Sequence, residues 1–167
     1  MASVSVNIHA TCLRLAAAGT PFGAPPDCGV LLIGGSGSGK SDLALRLIAA
    51  GAELVADDRT DIFILRGRLY GRAPARLAGL LEVRGVGIVE LPHARQAFIT
   101  LVARLGRAAV RLPSHRLWRP PAALGPFAKA APPVISIAPF EASAPAKLVA
   151  ATAAYALGLH REDVNPM

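Results

Sequence analysis

The stretch 30–41 constrains the fold most strongly, because it joins an apolar run to a helical pattern through a glycine-rich turn. It reads VLLIGGSGSGKS, and its four leading apolar residues predict a strand that is buried in a sheet. It matches the phosphate-loop pattern G-x-x-x-x-G-K-[ST] at every fixed position, namely Gly34, Gly39, Lys40 and Ser41. The residues that follow predict a helix over 42–48 that ends near Gly51. Strand, loop and helix in this order are the context in which the pattern holds nucleotide phosphates.

Each residue type in this loop has a chemical reason to be there. Glycines let the backbone curl so that several N–H groups point at phosphate oxygens, and the helix N-terminus adds partial positive charge. We expect Lys40 to reach the β- and γ-phosphates and the Ser41 hydroxyl to ligate Mg²⁺. The chain has no Asn-Lys-x-Asp guanine signature, so ATP is the expected nucleotide. The predicted nucleotide-binding residues are Gly34, Gly35, Ser36, Gly37, Ser38, Gly39, Lys40 and Ser41.

Length and composition favour one folded domain over 1–167. The chain is 53% hydrophobic, which is enough to bury a core, yet Arg, Gly and Pro interrupt every apolar run before it reaches the length of a membrane span. The N-terminus lacks a basic segment ahead of an apolar one, so we expect no signal peptide and a cytoplasmic location. Cys12 and Cys28 are expected to be free thiols, because a nucleotide site implies a reducing compartment.

The net charge of +7 raises the question of a nucleic-acid partner. The basic residues are scattered, and they form neither a block nor a basic helix. We therefore predict a solvated basic surface and no nucleic-acid binding. A docking face for an acidic partner or for phosphates stays open as the alternative.

Two adjacent carboxylates close the next predicted strand, which reads ELVADD over 53–58. Side chains alternate between faces along a strand, so Asp57 and Asp58 cannot both point the same way if the strand continues. Beside a phosphate loop, one of them is suited to face Mg²⁺ or its waters, and the other to accept the proton of an incoming hydroxyl.

The remaining elements are read from shorter patterns. Alternating apolar residues predict a half-buried strand over 3–15, with His9 out of phase with the apolar set. Further predictions are a hairpin over 61–71 that turns at Gly67, strands at 80–88 (with a glycine turn), 97–103 and 134–137, and a helix over 147–157. Loops are predicted over 16–26 and over the proline-rich stretch 111–133.

Three stretches in this order resemble the catalytic domain of the bacterial HPr kinase/phosphorylase family. They are 34–47, reading GGSGSGKSDLALRL, then 54–58, reading LVADD, and 82–88, reading EVRGVGI. His9-Ala10 also resembles the His-Gly that the family carries on the strand before its phosphate loop. The resemblance extends from about residue 9 to residue 157 and corresponds to the short form without the family's separate N-terminal domain.

This resemblance implies an α/β fold of the P-loop NTPase-like, phosphoenolpyruvate-carboxykinase-like kind, with a mixed sheet and flanking helices. It implies an enzyme that uses ATP and Mg²⁺ to phosphorylate a serine of HPr, the phosphocarrier of the sugar phosphotransferase system, and so regulates carbohydrate metabolism. Many members also run a phosphorylase reaction, in which inorganic phosphate attacks phosphoserine. Family members form hexamers, so a homo-oligomer is expected.

The resemblance also implies roles for single residues. Asp57 is expected to be the general base, near His9, which assists it. Asp58, Glu82 and Ser41 are expected to serve the metal ion, and Lys40 to stabilise charge on the transferred phosphoryl group.

One region departs from the family pattern. Members carry Arg-Pro-Gly-Arg-Asn-like residues between the last strand and the last helix, whereas 138–143 reads APFEAS here. Glu141 stands about where an arginine is expected, and Arg84, Arg111 and Arg116 are alternative sources of that charge. The phosphorylase half-reaction and the protein substrate therefore stay open. Two other functions remain as alternatives: a small-molecule kinase with the same loop, and a non-enzymatic ATP sensor.

Overall fold

A mixed β-sheet with helices packed on one face forms the body of the protein. The computed structural model describes residues 4–15, 22–107, 110–111, 113–114, 116–125 and 131–161. The elements are β1 Ser5–Arg14, β2 Cys28–Ile33, α1 Lys40–Ala49, β3 Glu53–Ala56, β4 Arg59–Leu65, β5 Arg68–Arg72, β6 Leu80–Val83, β7 Gly87–Glu90, β8 Ala97–Leu105, β9 Val134–Ile137 and α2 Ala144–Ala156. β6 and β7 form a small separate sheet, and the other seven strands form the main one.

β1 is the strand around which the site is built. It pairs with β2 along one edge and with both β3 and β4 along the other, antiparallel in each case. His9 lies opposite Arg59 on β4, and Cys12 lies opposite Ala56 on β3. The short link between β3 and β4 therefore passes directly beside the middle of β1.

The main sheet bends back on itself at one end. β2 pairs with β8 in parallel, and β8 pairs with β5, which is joined to β4 as a hairpin. With β1 between β4 and β2, these five strands form a closed cycle of pairings. The chain turns between β4 and β5 at Arg66 and Gly67, both of which have positive φ.

Two apolar clusters fill the two faces of the sheet. One lies under α1 and α2 and includes Leu13, Leu32, Leu43 and Leu148. The other lies on the opposite face, and its members include Cys12, Leu31, Ile62 and Ile99. Because β1 contributes alternate residues to both clusters, residues 10–13 are all buried.

Most predicted elements are confirmed, with shifted boundaries. The half-buried pattern predicted for β1 holds over 5–9 but is wrong over 10–13, because neighbouring strands and both cores cover that part. The stretch 80–88 was predicted as a strand with a turn, and it belongs to a hairpin of two strands, β6 and β7. Within 111–133 the described residues include a 3₁₀ turn, Ala122–Leu124. Residues 16–21, 126–130 and 162–167 lie outside the described residues.

Cys12 and Cys28 are buried free thiols, as predicted. Burial raises the pKa of Cys12 to about 12 and also raises that of Cys28. No helix in the described part of the chain is both long enough and apolar enough to cross a membrane.

Candidate active site

The phosphate loop curls between β2 and α1 with backbone angles that only glycine adopts readily. Gly37 and Gly39 have φ of 74° and 92°. At Gly34, a Cβ atom would lie 2.5 Å from the Ser38 hydroxyl, so the loop closes on itself only without a side chain there. Helix α1 begins at Lys40, directly after the loop, so its free N–H groups lie at the loop.

Lys40 is held inside this curl. Its Nζ donates hydrogen bonds to the carbonyl oxygens of Gly34 and Gly35, both at 3.0 Å. The residue is buried, and this desolvation lowers the pKa of Lys40, while the nearby charges of Asp58 and Asp57 act in the opposite direction. The ammonium group is therefore already positioned against the loop.

Asp57 follows the last residue of β3 and lies in the interior, with 7% of its surface exposed. Its Oδ1 accepts hydrogen bonds from the Thr11 hydroxyl and the Ser41 hydroxyl, each at 2.9 Å. Its Oδ2 lies 3.1 Å from the Ser41 hydroxyl and accepts the backbone N–H of Glu82 at 3.3 Å. Donors from β1, α1 and β6 thus fix this carboxylate beside the predicted Mg²⁺ ligand of the loop.

Asp58 occupies the opposite kind of environment. Its side chain is 64% exposed, and its Oδ1 lies 2.8 Å from His9 Nε2. The Arg59 Nε is 3.9 Å from its other oxygen. The backbone of Asp58 is left-handed, with a φ of 61°, which turns the chain sharply between β3 and β4.

The loop and the exposed carboxylate share one cavity of about 340 Å³, a volume within the range of small-molecule pockets. Its walls are formed by His9, Ser36, Gly37, Ser38, Gly39, Lys40, Ser41, Asp42, Leu45, Asp58, Glu82, Val83, Arg84 and Phe140. The structure therefore gathers residues from β1, the phosphate loop, α1, the β3–β4 link, β6 and the segment before α2 around one space.

Comparisons with known proteins point to one family. Residues 26–98 match the family model described as HPr Serine kinase C-terminal domain. The HPr kinase/phosphorylase of Clostridium tetani is 52% identical over 64 residues, which are 38% of this chain and 21% of that protein. The HPr kinase/phosphorylase of Leptothrix cholodnii is also 52% identical over 64 residues, covering 38% of this chain and 20% of the relative.

The predicted resemblance to the HPr kinase/phosphorylase family is confirmed. A solved structure, the Hpr(Ser) kinase/phosphatase from Coxiella burnetii, superposes with a TM-score of 0.70 at 23% identity, covering 92% of this chain and 98% of that one. This likeness confirms the predicted fold class, an α/β mixed sheet with flanking helices. The matched region spans about a fifth of the length of the curated relatives.

The HPr kinase family match over 26–98 includes the phosphate loop, both aspartates and Glu82, but neither His9 nor the segment before α2. The contact between His9 and Asp58 is therefore supported by the structure of this chain and not by the family match. The resemblance implied Asp57 near His9 and Asp58 with Ser41, whereas the contacts in the structure are the other way round. Asp57 contacts Ser41 and Asp58 contacts His9, because the left-handed turn at Asp58 sends the second carboxylate back over β1.

The three predicted metal ligands, Ser41, Asp58 and Glu82, all line the cavity. Glu82 lines the cavity with an exposed side chain, but within the described residues no three or more His, Cys, Asp or Glu side chains converge to form a metal site. The oxygen atoms of Ser41 and Asp57 are hard ligands of the kind that Mg²⁺ prefers, and Mg²⁺ usually takes few protein ligands alongside substrate phosphates. The donor set fits Mg²⁺ that is bound together with a nucleotide.

An unsatisfied atom in the loop also fits a nucleotide. The Ser38 hydroxyl is buried and has no hydrogen-bond partner within the described structure. A hydroxyl in this position normally has an acceptor, and a phosphate oxygen in the loop would provide one. The loop therefore fits a phosphate group in shape and in hydrogen bonding.

The structure also shows where Glu141 and the three candidate arginines lie. Glu141 does not line the cavity; its carboxylate forms an ion pair with Lys147, and its carbonyl oxygen accepts a hydrogen bond from Arg46 at 3.3 Å. Among the three arginines considered as replacements, Arg84 lines the cavity, whereas Arg111 and Arg116 are exposed elsewhere.

Two residues of the site were missed from the sequence. Thr11 donates a hydrogen bond to Asp57. The sequence could have indicated this residue, because it lies two positions after His9 and therefore on the same face of β1. Phe140 lines the cavity next to the loop. Its only sequence signal was being an aromatic residue inside the stretch that departs from the family.

Proposed function

We propose that this chain is an ATP- and Mg²⁺-dependent kinase that phosphorylates a serine of an HPr-type phosphocarrier protein. The observation that carries the proposal is that the two aspartates at the phosphate loop have different contacts and different exposure. Asp57 is held against Ser41, and Asp58 is exposed in the cavity beside His9. A phosphoryl-transfer site needs both a group for the metal and a group for the proton.

The loop and Lys40 bind and orient the nucleotide in this proposal. Backbone N–H groups of the loop and of the start of α1 face the phosphates, and Lys40 exchanges its two carbonyl contacts for phosphate oxygens. Ser41 and Asp57 would hold Mg²⁺, with the Glu82 side chain available at the cavity wall. The ion, when bound, neutralises negative charge that develops on the transferred group.

Asp58 accepts the proton of the serine hydroxyl. A serine hydroxyl is a weak nucleophile, so its proton must leave as its oxygen bonds to the γ-phosphorus and the bond to the ADP oxygen breaks. The Asp58 carboxylate is open to the cavity, and the 2.8 Å contact with His9 orients it. This proposal exchanges the roles that the family resemblance implied for Asp57 and Asp58.

We base the proposed protein substrate, HPr, and the proposed second activity, phosphorylase, on the names of the relatives. In that reaction the same Asp58 carboxyl would return a proton to the departing serine oxygen. Arg84 is the arginine that lines the cavity and is the candidate for the charge that the family places after its last strand. A cytoplasmic location, a homo-oligomer and a role in regulating carbohydrate metabolism belong to the same proposal.

The test is to incubate the full chain with Mg-ATP and the HPr of the same organism, and to search for phosphoserine on HPr by mass spectrometry. We expect one phosphoserine per HPr, none with Lys40→Ala, and none when that serine of HPr is replaced by alanine. Near-normal turnover by Lys40→Ala would contradict the assignment of the loop. ATP consumption with a metabolite but not with HPr would favour a small-molecule kinase, and ATP binding without any transfer would favour a sensor.

A further inference from the structure

Phe140 is the aromatic residue of the cavity wall, and it is 71% exposed. Among the large apolar side chains that are exposed in the described residues, it shares the cavity only with Leu45. An exposed ring next to a phosphate-binding loop is not explained by packing, because Phe140 belongs to neither apolar core. Its position is better explained by a ligand.

The ring lies directly on the phosphate loop. A Cβ atom at Gly39 would lie 2.8 Å from the Cζ and 3.1 Å from the Cε1 of Phe140, and 3.4 Å from the Cβ of Pro139. Gly39 is glycine because of its φ of 92°, and the absence of a side chain there lets the ring approach the loop closely. The ring and the loop line the same cavity, so the ring is available to the nucleoside of a nucleotide whose phosphates lie in the loop.

The segment that carries Phe140 is fastened to the helix that follows the loop. Arg46 of α1 donates to the carbonyl oxygens of Pro139 and, at 3.3 Å, of Glu141, which flank the phenylalanine. Asp42, one turn earlier on α1, holds the same guanidinium at 2.9 Å. The backbone on both sides of Phe140 is thus fixed relative to the phosphate loop, although it lies outside any helix or strand.

We propose that Phe140 is the nucleobase platform of this site, on which the base of the bound nucleotide stacks. The inference rests on the proposed function in that it requires a nucleotide in the loop. Leu45 and Val83 are the other large apolar residues of the cavity wall, which also includes the polar pair His9 and Asp58. The cavity therefore offers apolar contacts for a base as well as polar groups for proton transfer.

Stacking on an aromatic ring tolerates any base, because every base has a π-face. The platform therefore strengthens nucleotide binding without selecting adenine over guanine. It also acts only on ligands that carry a base. Inorganic triphosphate, which has the phosphates alone, is the probe that separates the platform from the loop.

The experiment measures dissociation constants of the full chain for Mg-ATP, Mg-GTP and Mg-triphosphate by titration calorimetry. We expect Phe140→Ala to weaken ATP and GTP binding by between about five- and a hundredfold and to leave triphosphate binding unchanged. Phe140→Tyr keeps the ring and should bind ATP like the wild type. Leu117→Ala, which shortens an exposed side chain outside the cavity, is the matched control.

A second variant guards against loss of structure in Phe140→Ala. In Phe140→Trp, ATP should change the fluorescence of the new indole while triphosphate does not, with the wild-type Trp118 signal as the background. Equal losses of ATP and triphosphate affinity in Phe140→Ala would overturn the proposal, since they would show a role in loop structure. So would unchanged ATP affinity in that variant. Failure of the wild type to bind ATP would overturn the proposed function as well, which distinguishes the two.

Discussion

Asp57 and Asp58 are neighbours in the chain, yet one is buried and the other is exposed. Asp57 is buried and accepts hydrogen bonds from Thr11, Ser41 and the backbone of Glu82. Asp58 is exposed and contacts His9. A carboxylate fixed by three elements is suited to a stationary task such as holding an ion, whereas an exposed one is suited to exchange protons with an incoming group.

The backbone explains how two neighbours become so different. β3 ends at Ala56, β4 begins at Arg59, and Asp58 takes the left-handed conformation between them. Aspartate and asparagine tolerate this conformation better than most residues. Asparagine is therefore the substitution that tests either carboxylate while it preserves the turn.

The largest effect is expected for Asp58→Asn, which removes the proton acceptor but keeps the shape of the side chain. We expect kcat for phosphorylation of HPr to fall by about 10²- to 10⁴-fold with an unchanged Kd for ATP. The measurement is a rate assay paired with calorimetry. Asp61→Asn on β4, outside the cavity, is the control and should keep the wild-type rate. A wild-type rate for Asp58→Asn would remove this residue from the chemistry.

Asp57→Asn should instead weaken the binding of Mg²⁺. The amide keeps one oxygen near Ser41 but loses the negative charge, so we expect the Mg²⁺ concentration for half-maximal activity to rise by about tenfold or more. High Mg²⁺ should restore part of the rate. A Mg²⁺ titration of both asparagine variants makes the comparison direct. If the shift in Mg²⁺ dependence appeared in Asp58→Asn and not in Asp57→Asn, the two roles would have to be exchanged.

His9 tests whether the exposed carboxylate works alone. His9→Ala removes the 2.8 Å contact to Asp58, and we expect kcat to fall by about tenfold while the Mg²⁺ dependence stays the same. Because the histidine acts through Asp58, the same substitution should have little further effect in an Asp58→Asn background. Fully multiplicative effects in this double-mutant cycle would show that His9 acts independently of Asp58.

The phosphate loop was predictable from sequence because all its determinants are local. A strand, six loop residues and a helix start follow one another, and each has a chemical reason that a pattern records. The sequence predicted that two aspartates lie beside the phosphate loop, but it did not predict the separate contacts of each one. Which carboxylate meets His9 depends on the φ of Asp58 and on the register of β1 against β4, and neither is written in the alternation of the sequence.

Long-range contacts explain the other differences. Residues 10–13 break the alternation of β1 because the core under α1 and α2, which includes Leu13, covers the face that was expected to be exposed. The contact of Phe140 with Gly39 joins the segment before α2 to the phosphate loop, two parts that are far apart in the chain. A sequence pattern reports the faces of one element, and it does not report which distant element covers them.

The smallest expected effect concerns the buried carboxylate, Asp57, which accepts a hydrogen bond from Thr11. Thr11→Val keeps the shape but removes the buried donor at 2.9 Å, and we expect the free energy of unfolding to fall by about 1 kcal/mol. Thr152 offers a matched control, because its hydroxyl is also buried but has no partner within the described structure. Thr152→Val should therefore be neutral or stabilising. Urea unfolding of the two variants measures the difference, and equal losses would mean that the hydrogen bond from Thr11 to Asp57 adds nothing to the stability of the protein.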